Sequence, residues 1–201
     1  MNQEEPKRLL WYRIKLLALI AVFLSPFIGG WLALYVFDIK PSSGNYGMLV
    51  APVKKLDWPL LETVDGQRHE GGFGRKWTFL LFSGESCDEQ CRSNLFYMRQ
   101  IRTLLGRDTM RLQNVLISAR PLSEKTKIYL QDFPNLKVVE NYQDKNLYRQ
   151  FYLEGHGEVG EAPRMYLVDP EQNLMMHYPA ENEQDRVLDD IKKLMKLSQI
   201  G

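Results

Sequence analysis

Residues 77–91 have the sequence WTFLLFSGESCDEQC, in which an apolar run is followed by a short polar loop and two cysteines. The apolar run is typical of a strand that is buried on both faces of a sheet. Cys87 and Cys91 begin a segment whose apolar residues recur at helical spacing. Because ligand sites in open α/β sheets lie at the carboxyl ends of strands, this is where we expect the chemistry of the chain.

Apolar runs and amphipathic segments alternate after the cysteines and predict the order β-α-β-α-β-α-β-β-α, starting with the strand of residues 75–83. Ahead of that strand, the alternation WPLLETV meets the turn dipeptide Asp65-Gly66, which predicts an N-terminal hairpin. Alternating strands and helices imply an α/β fold, a partly parallel sheet with helices on its faces. The further predicted strands cover 111–118, 135–141, 164–169 and 174–179, and the further helices follow Ser123 and cover 143–153 and 182–197.

The segment 16–37 (LLALIAVFLSPFIGGWLALYVF) contains no charged residue and is long enough to span a membrane. A cleaved signal peptide is the alternative, but the apolar stretch is long for one and no A-x-A site follows it. We therefore expect one retained transmembrane helix. Because four basic residues precede it, the positive-inside rule leaves residues 1–15 in the cytoplasm and exports the rest. The expected organisation is a linker over 38–57 and a folded domain over 58–201.

The charges of the chain nearly cancel, with 26 Lys and Arg against 25 Asp and Glu. After residue 40, 21 Lys and Arg face 22 Asp and Glu, so the exported part is neutral. This argues against nucleic-acid binding, which rests on a basic surface. Four arginines lie along or just beyond the helix after the cysteines; we expect a solvated helix face there, with docking of an acidic partner as the alternative. They are Arg99, Arg102, Arg107 and Arg111.

Two cysteines are too few for a disulfide scaffold or a four-cysteine zinc site. Cys87 and Cys91 can form one structural disulfide, one redox pair or part of a metal site. Residues four apart on a helix share a face, and a helix N-terminus stabilises a thiolate. The adjacent carboxylates of Glu85, Asp88 and Glu89 oppose a thiolate and favour a bound cation. The local charge therefore suits metal binding or a mild reductant better than a strong oxidant.

The chain resembles the Sco/SenC family of membrane-anchored, thioredoxin-fold proteins over roughly residues 12–196. The resemblance rests on the Gly74–Trp77 lead into the cysteine strand, the hairpin region 60–66 and the late hairpin MYLVDPEQNL. It implies a thioredoxin-like fold with an N-terminal hairpin, preceded by a single transmembrane helix. It also implies copper bound by the two cysteines and a distal histidine, and delivery of copper to, or reduction of, the copper centre of cytochrome c oxidase subunit II.

Two positions depart from that family. Asp88 stands where the family motif has proline, and Glu161 stands where the ungapped alignment from Tyr166 expects the metal histidine. His156, five residues upstream of Glu161 in the Gly-rich run 155–162, is the candidate third copper ligand. His69 and His177 rank below it, and Met98, although its sulfur suits copper(I), is expected to pack in the core.

Ala162-Pro163 resembles the active-site proline of thioredoxin and its membrane-tethered reductase relatives, which tilts the expectation toward thiol chemistry. The resemblance predicts a bacterial inner-membrane protein with a periplasmic domain that assists oxidase assembly. Its partners are then oxidase subunit II or other assembly factors, and its activity thiol–disulfide exchange or copper delivery. Cys87 in the loop is the expected attacking sulfur and Cys91 the resolving one. The alternative from another class is a non-enzymatic scaffold with a structural disulfide.

Overall fold

The computed structural model of the chain describes residues 5–35, 44–141, 144–153, 159, 164–179, 181 and 183–198. The chain divides into two compact units, Met1–Gly44 and Asn45–Gly201. The first unit contains one helix, and the second contains the sheet and the remaining helices.

Helix α1 spans Glu5–Tyr35. Its segment Leu10–Leu32 has a mean hydropathy of 1.9 over 23 residues and is long and apolar enough to cross a membrane. Pro26 lies inside the helix, where it cannot donate a backbone hydrogen bond. The expected single apolar helix near the N-terminus is confirmed, although it begins before residue 16. The last two residues of the predicted span, 36 and 37, lie outside the described residues.

The second unit contains a six-stranded sheet and a two-stranded sheet. Its strands are β1 (Met48–Lys55), β2 (Leu61–Glu62), β3 (Arg68–His69), β4 (Trp77–Ser83), β5 (Leu112–Ser118), β6 (Leu136–Glu140), β7 (Met165–Val168) and β8 (Asn173–Tyr178). Its helices are α2 (Glu89–Leu104), a 3₁₀ turn (Gly106–Arg111), α3 (Glu124–Leu130), α4 (Lys145–Gln150) and α5 (Gln184–Leu197). From β4 onward this is the order that the sequence predicts.

The strands of the large sheet lie in the order β1-β8-β7-β4-β5-β6. β4, β5 and β6 are parallel to one another, whereas β7 is antiparallel to β4 and β8 is antiparallel to both β7 and β1. Every residue of β4 and β5 is buried, as expected for central strands covered on both faces. The carboxyl ends of β4 and β5 coincide, because Ser83 is paired with Ser118.

Two hydrophobic cores cover the two faces of this sheet. The cysteine-side core lies under α2, α3 and α5. The far-side core lies under α4 and under the segment 56–73 that precedes β4. Side chains of β4 alternate between them, with Phe79 and Leu81 in the first and Leu80 and Phe82 in the second. The cysteine-side core also contains Cys87, Cys91, Met98, Ile101, Met176, Tyr178, Val187 and Ile191, and the far-side core contains Trp58, Phe73, Leu147, Phe151 and Tyr166.

Residues 48–55 form edge strand β1, where the sequence predicts part of a linker over 38–57. Among the described strands, β1 pairs only with β8, and its register shifts between Leu49 and Lys54. Pro52, preceded by a cis peptide bond, lies within that irregular stretch. Because proline cannot donate to a strand ladder, it is confined to edges and bulges of sheets. The linker prediction was wrong here because Pro and Gly mark an irregular edge strand as well as they mark a connection.

The predicted N-terminal hairpin is confirmed. β2 and β3 pair antiparallel through Leu61–His69 and Glu62–Arg68. Gly66 in the turn has a φ of 83°, a conformation that glycine adopts without strain. Beyond β2, the Val64 amide donates to the Val138 carbonyl at 2.8 Å, so the hairpin covers part of the outer edge of β6.

Asp190 of α5 fixes the start of the second unit. Only 4% of its surface is exposed. Its carboxylate accepts hydrogen bonds from the amides of Tyr46 and Gly47, at 3.0 and 2.7 Å. A Cβ at Gly47 would lie 2.6 Å from the Tyr178 ring, so only glycine allows this approach. These bonds hold the beginning of β1 against the cysteine-side core.

Candidate functional site

The two cysteines lie where β4 ends and α2 begins, and their sulfurs form a disulfide. The Cα atoms of Cys87 and Cys91 are 5.2 Å apart. Cys87 is in the loop after β4, and Cys91 is in the first turn of α2. β7 begins at the same edge of the sheet, because Met165 is paired with Leu81 near the end of β4. The structure therefore brings together the pair that the sequence singles out, in its oxidised form.

Asp88 is the N-cap of α2. Its side chain accepts a hydrogen bond from the Cys91 amide at 2.8 Å, which satisfies one of the free N–H groups of the first turn. Asp88 thus holds the second cysteine in place through its backbone. From the sequence, Asp88 was expected to act electrostatically and to replace the proline of the Sco motif. Its capping role was missed, although a Ser, Thr, Asp or Asn before a helical segment is a recognised capping signal.

Replacing Asp88 with alanine should destabilise the folded domain by about 1 kcal/mol, since the helix loses its cap. Chemical denaturation of the full-length chain measures this loss. Asp88→Asn is the matched control, because asparagine caps helices as well as aspartate does and should retain most of the stability. Equal destabilisation by both variants would contradict the capping role.

The loop between β4 and Cys87 is held by the segment that follows β5. The Ser118 hydroxyl donates to the Gly84 carbonyl at 2.8 Å, and the Ser123 amide donates to the Glu85 carbonyl at 3.0 Å. Ser123 also caps α3. Ser118, at the end of β5, and Ser123, just before α3, therefore fix the backbone of the loop that carries Cys87. Sequence reasoning missed both contacts because the partners lie more than 30 residues away.

Arg92 is a further site residue that sequence reasoning missed. Its Nε donates to the Cys87 carbonyl at 3.1 Å, and its guanidinium lies 4.9 Å from the centre of the Tyr129 ring. The cation–π contact fixes the guanidinium in this orientation. Arg92 therefore places a positive charge beside the disulfide. This charge offsets the negative charges of Glu85, Asp88 and Glu89.

Tyr148 joins the carboxyl ends of β5 and β6 beside the site. Its hydroxyl donates to the Asn141 carbonyl at 2.6 Å and lies 3.2 Å from the Ser118 carbonyl, the alternative acceptor for its single proton. Burial, reinforced by the charge of Asp144, raises the pKa of Tyr148 far above its ordinary value. The hydroxyl consequently remains a protonated donor at any physiological pH.

Both cysteines are buried, with 3% of Cys87 and 2% of Cys91 exposed. Exposure therefore does not distinguish an attacking from a resolving sulfur, although Cys87 was expected to attack because of its place in the loop. The position of the two residues still differs, because only Cys87 precedes the helix.

The structure does not bring His69 or His177 to the cysteines. His177 lies between Met176 and Tyr178, which both point into the cysteine-side core, so its own side chain points to the opposite face. The His69 ring lies 5.1 Å from that of Phe73, in the far-side core, and burial lowers its pKa. His156, Glu161 and Pro163 lie outside the described residues.

Within the described part of the chain, no group of three or more His, Cys, Asp and Glu residues forms a metal site. Met98 is fully buried in the cysteine-side core, as expected. In the described part of the chain, Cys87 and Cys91 are the two sulfurs placed together for a soft metal, and a metal can bind them only after the disulfide is reduced.

A family model described as "Transmembrane-like, thioredoxin-like, C-terminal domain" matches residues 77–198. No curated protein matches the chain. Among solved structures, copper-bound ScoI of Arabidopsis thaliana is 21% identical and covers 76% of this chain and 99% of its own, with a TM-score of 0.57. Apo Sco1 of Thermus thermophilus is 22% identical, with 75% and 97% coverage and a TM-score of 0.61.

A third solved structure is that of BsSco, described as a member of the Sco family of cytochrome c oxidase assembly proteins with a disulfide switch. It is 14% identical and covers 75% of this chain and 99% of its own, with a TM-score of 0.57. At such identities the similarity establishes the fold. The predicted thioredoxin-like fold and the predicted resemblance to Sco proteins are both confirmed at that level.

Proposed function

The chain belongs to the family of transmembrane-like, thioredoxin-like C-terminal domains, and from this premise we propose that it is a membrane-anchored thiol–disulfide exchange protein that assists cytochrome c oxidase assembly. The observation that carries the proposal is the Cys87–Cys91 disulfide at the junction of β4 and α2. A pair closed over a separation of four residues crosslinks little of the unfolded chain, so its main use is chemical.

The exchange reaction starts from the reduced pair. The Cys87 thiolate attacks one sulfur of a client disulfide, the client S–S bond breaks, and the released client thiolate takes up a proton. The Cys91 thiolate then attacks Cys87 in the mixed disulfide and releases the second client thiol. The client gains two electrons and becomes a dithiol, while the chain becomes the Cys87–Cys91 disulfide seen here. A dithiol reductase must return the pair to its reduced form.

Binding of copper(I) is the second chemistry that the two cysteines support. Two thiolates bind this soft ion, and Arabidopsis thaliana ScoI was crystallised with copper. The described residues of this chain add no histidine to the two sulfurs, so His156 remains the proposed third ligand. We therefore rank two proposals. Thiol exchange with oxidase subunit II or with another assembly factor comes first, and copper delivery to that subunit comes second.

Burial of both sulfurs favours one alternative, a non-enzymatic scaffold whose disulfide is structural. The two functions predict different reduction potentials. A structural disulfide has a potential below about −300 mV, whereas a pair that exchanges with clients has a higher one. Thiol trapping of the full-length chain in glutathione buffers measures this potential.

The proposed location is the bacterial inner membrane, with residues 1–15 in the cytoplasm and residues 16–37 in the bilayer. Lys7, Arg8, Arg13 and Lys15 precede the apolar segment, and only Lys40 follows it closely. This asymmetry retains the N-terminus and exports the thioredoxin-like domain of residues 58–201 to the periplasm. An oxidising periplasm permits the disulfide.

Deletion of the chain should remove most of the oxidase activity of the host membranes and leave other respiratory enzymes intact. Activity is measured with and without added copper in the growth medium. Restoration by copper alone supports delivery of the metal, and failure of copper to restore activity supports thiol exchange. Unchanged oxidase activity in both media would contradict the assembly role.

Titration of the reduced, detergent-solubilised chain with a Cu(I) probe separates these two chemistries directly. Delivery requires wild type to hold Cu(I) and both Cys87→Ser and Cys91→Ser to lose it. Glu161→His supplies the comparison, because it restores the histidine of the Sco pattern.

A further inference from the structure

A cavity of about 340 Å³ lies beneath the C-terminal half of α2, toward the amino end of β5. Leu112 and Trp77 open β5 and β4 at this end of the sheet, so the cavity lies away from the edge that carries the disulfide. Its polar lining comes from α2, β5 and the turn before β6. The residues that supply it are Arg99, Arg102, Thr103, Asn114, Asp132 and Asn135.

Asn114 is the first feature of this cavity that indicates a binding site. Only 5% of its surface is exposed, and its Oδ1 finds no hydrogen-bond partner among the described residues. Its neighbours Leu112 and Leu116 on the same face of β5 pack in the cysteine-side core. A buried carbonyl without a donor is costly, so this position suits a ligand that donates a hydrogen bond.

Two arginines border the cavity and are held in place by the backbone. Arg99 donates through Nη1 to the Asp132 carbonyl at 3.2 Å, and Arg102 donates through Nε to the Leu112 carbonyl at 3.0 Å. The Arg99 guanidinium also lies 5.0 Å from the centre of the Phe133 ring. Each guanidinium has five N–H groups, so these bonds leave most donors for an anion. The expected solvated face is therefore wrong for Arg102, which is half-buried.

A second cavity of about 350 Å³ also has Arg102 in its lining, but it is a separate space. Its Phe73 belongs to the far-side core and its Lys137 lies 5.8 Å from the centre of the Phe73 ring, so Lys137 is on the other face of the sheet from Asn114. The first cavity has two cationic side chains in its lining, those of Arg99 and Arg102, and one carboxylate, that of Asp132. In the described part of the chain, none of the ion pairs uses either arginine.

We name this first cavity the Arg102 cleft, and we propose that it binds a small anion with a phosphate monoester or inorganic phosphate group. The two arginines donate to the phosphate oxygens. The Asn114 carbonyl accepts from a P–OH group, which a singly protonated phosphate has and a lipid phosphodiester lacks. The excess of one positive charge in the lining favours an anionic ligand.

Inorganic pyrophosphate is the probe for this cleft, titrated calorimetrically into the full-length chain in detergent at constant ionic strength. We expect binding by wild type, and at least tenfold weaker binding by Arg99→Gln and by Arg102→Gln, because each loses a charge-assisted hydrogen bond. Arg107→Gln is the matched control: it removes the same charge from an exposed position outside the cleft and should bind as wild type does.

Asn114→Leu and a phosphodiester probe complete the test. Leucine fills the buried position without a polar group, so the fold is retained or stabilised while pyrophosphate affinity falls at least tenfold. Dimethyl phosphate, which carries no P–OH group, should bind at least tenfold more weakly than inorganic phosphate. No pyrophosphate binding by wild type, equal losses in Arg107→Gln and Arg99→Gln, or equal binding of the diester would each overturn the proposal.

Discussion

A Cys91→Ser variant should abolish catalytic cycling of the chain and accumulate a mixed disulfide through Cys87. The serine removes the resolving thiol, so the reaction stops after the first exchange and the rate of client reduction falls to the uncatalysed background. The trapped adduct is detected by non-reducing gel electrophoresis with a peptide disulfide as client. It must disappear when a dithiol reductant is added.

Cys87→Ser and Ser93→Ala are the matched variants for this experiment. Cys87→Ser removes the proposed attacking sulfur and should form no adduct, while Ser93→Ala changes α2 without touching the pair and should cycle as wild type does. Adduct formation by Cys87→Ser alone would reverse the roles of the two sulfurs. No adduct with either cysteine variant would favour the structural disulfide.

Loss of the disulfide should lower the free energy of unfolding only modestly, even though it abolishes catalytic cycling. The loop-entropy relation gives about 2 kcal/mol for a loop of roughly five residues. A fall of this size in both cysteine variants leaves the domain folded, so failure to cycle is attributable to chemistry. Unfolding curves of the two variants provide this control.

The largest loss of stability is expected for Asp190→Ala. Its carboxylate accepts the amides of Tyr46 and Gly47 in a buried position, and alanine leaves both donors unsatisfied. Each unsatisfied buried donor costs about 1–3 kcal/mol, so the loss of two should lower the free energy of unfolding by roughly 2–6 kcal/mol. Urea denaturation of the chain in detergent, monitored by tryptophan fluorescence, measures this change.

Asp189→Ala is the control for charge and helix propensity. Asp189 is exposed and adjacent to Asp190 on α5, so its replacement should change stability by less than about 0.5 kcal/mol. Asp190→Asn retains an acceptor oxygen and should lie between the two alanine variants. Equal effects of Asp189→Ala and Asp190→Ala would show that the two backbone bonds contribute nothing.

The elements that follow from local pattern were predictable from the sequence. The apolar run 77–83, the Asp65-Gly66 turn and the helical spacing after Cys91 each specify one element through nearest neighbours in the chain. The same short segment singled out Cys87 and Cys91 as one site, while their disulfide was one of three states that the sequence left open. These features depend on neighbouring residues alone, and the structure contains each of them.

Contacts between distant segments were not predictable in the same way. β1 is a strand because β8 lies beside it, and its own exposed, proline-containing sequence carries little strand signal. Arg92 and Arg102 look like ordinary surface arginines in sequence, yet each donates to a backbone carbonyl that the fold brings to it. Their roles depend on tertiary placement, and local periodicity says nothing about that.

The bonds from Asp190 to the amides of Tyr46 and Gly47 join residues 144 and 143 positions apart. Within the part of the chain that the structure describes, β1 likewise pairs only with β8, close to the other end of the domain. The first strand to leave the ribosome therefore has no partner until nearly the whole chain has been synthesised. The sheet can therefore be completed only late in synthesis, and a chain truncated before β8 leaves its N-terminal edge strand open to binding by chaperones or cleavage by proteases.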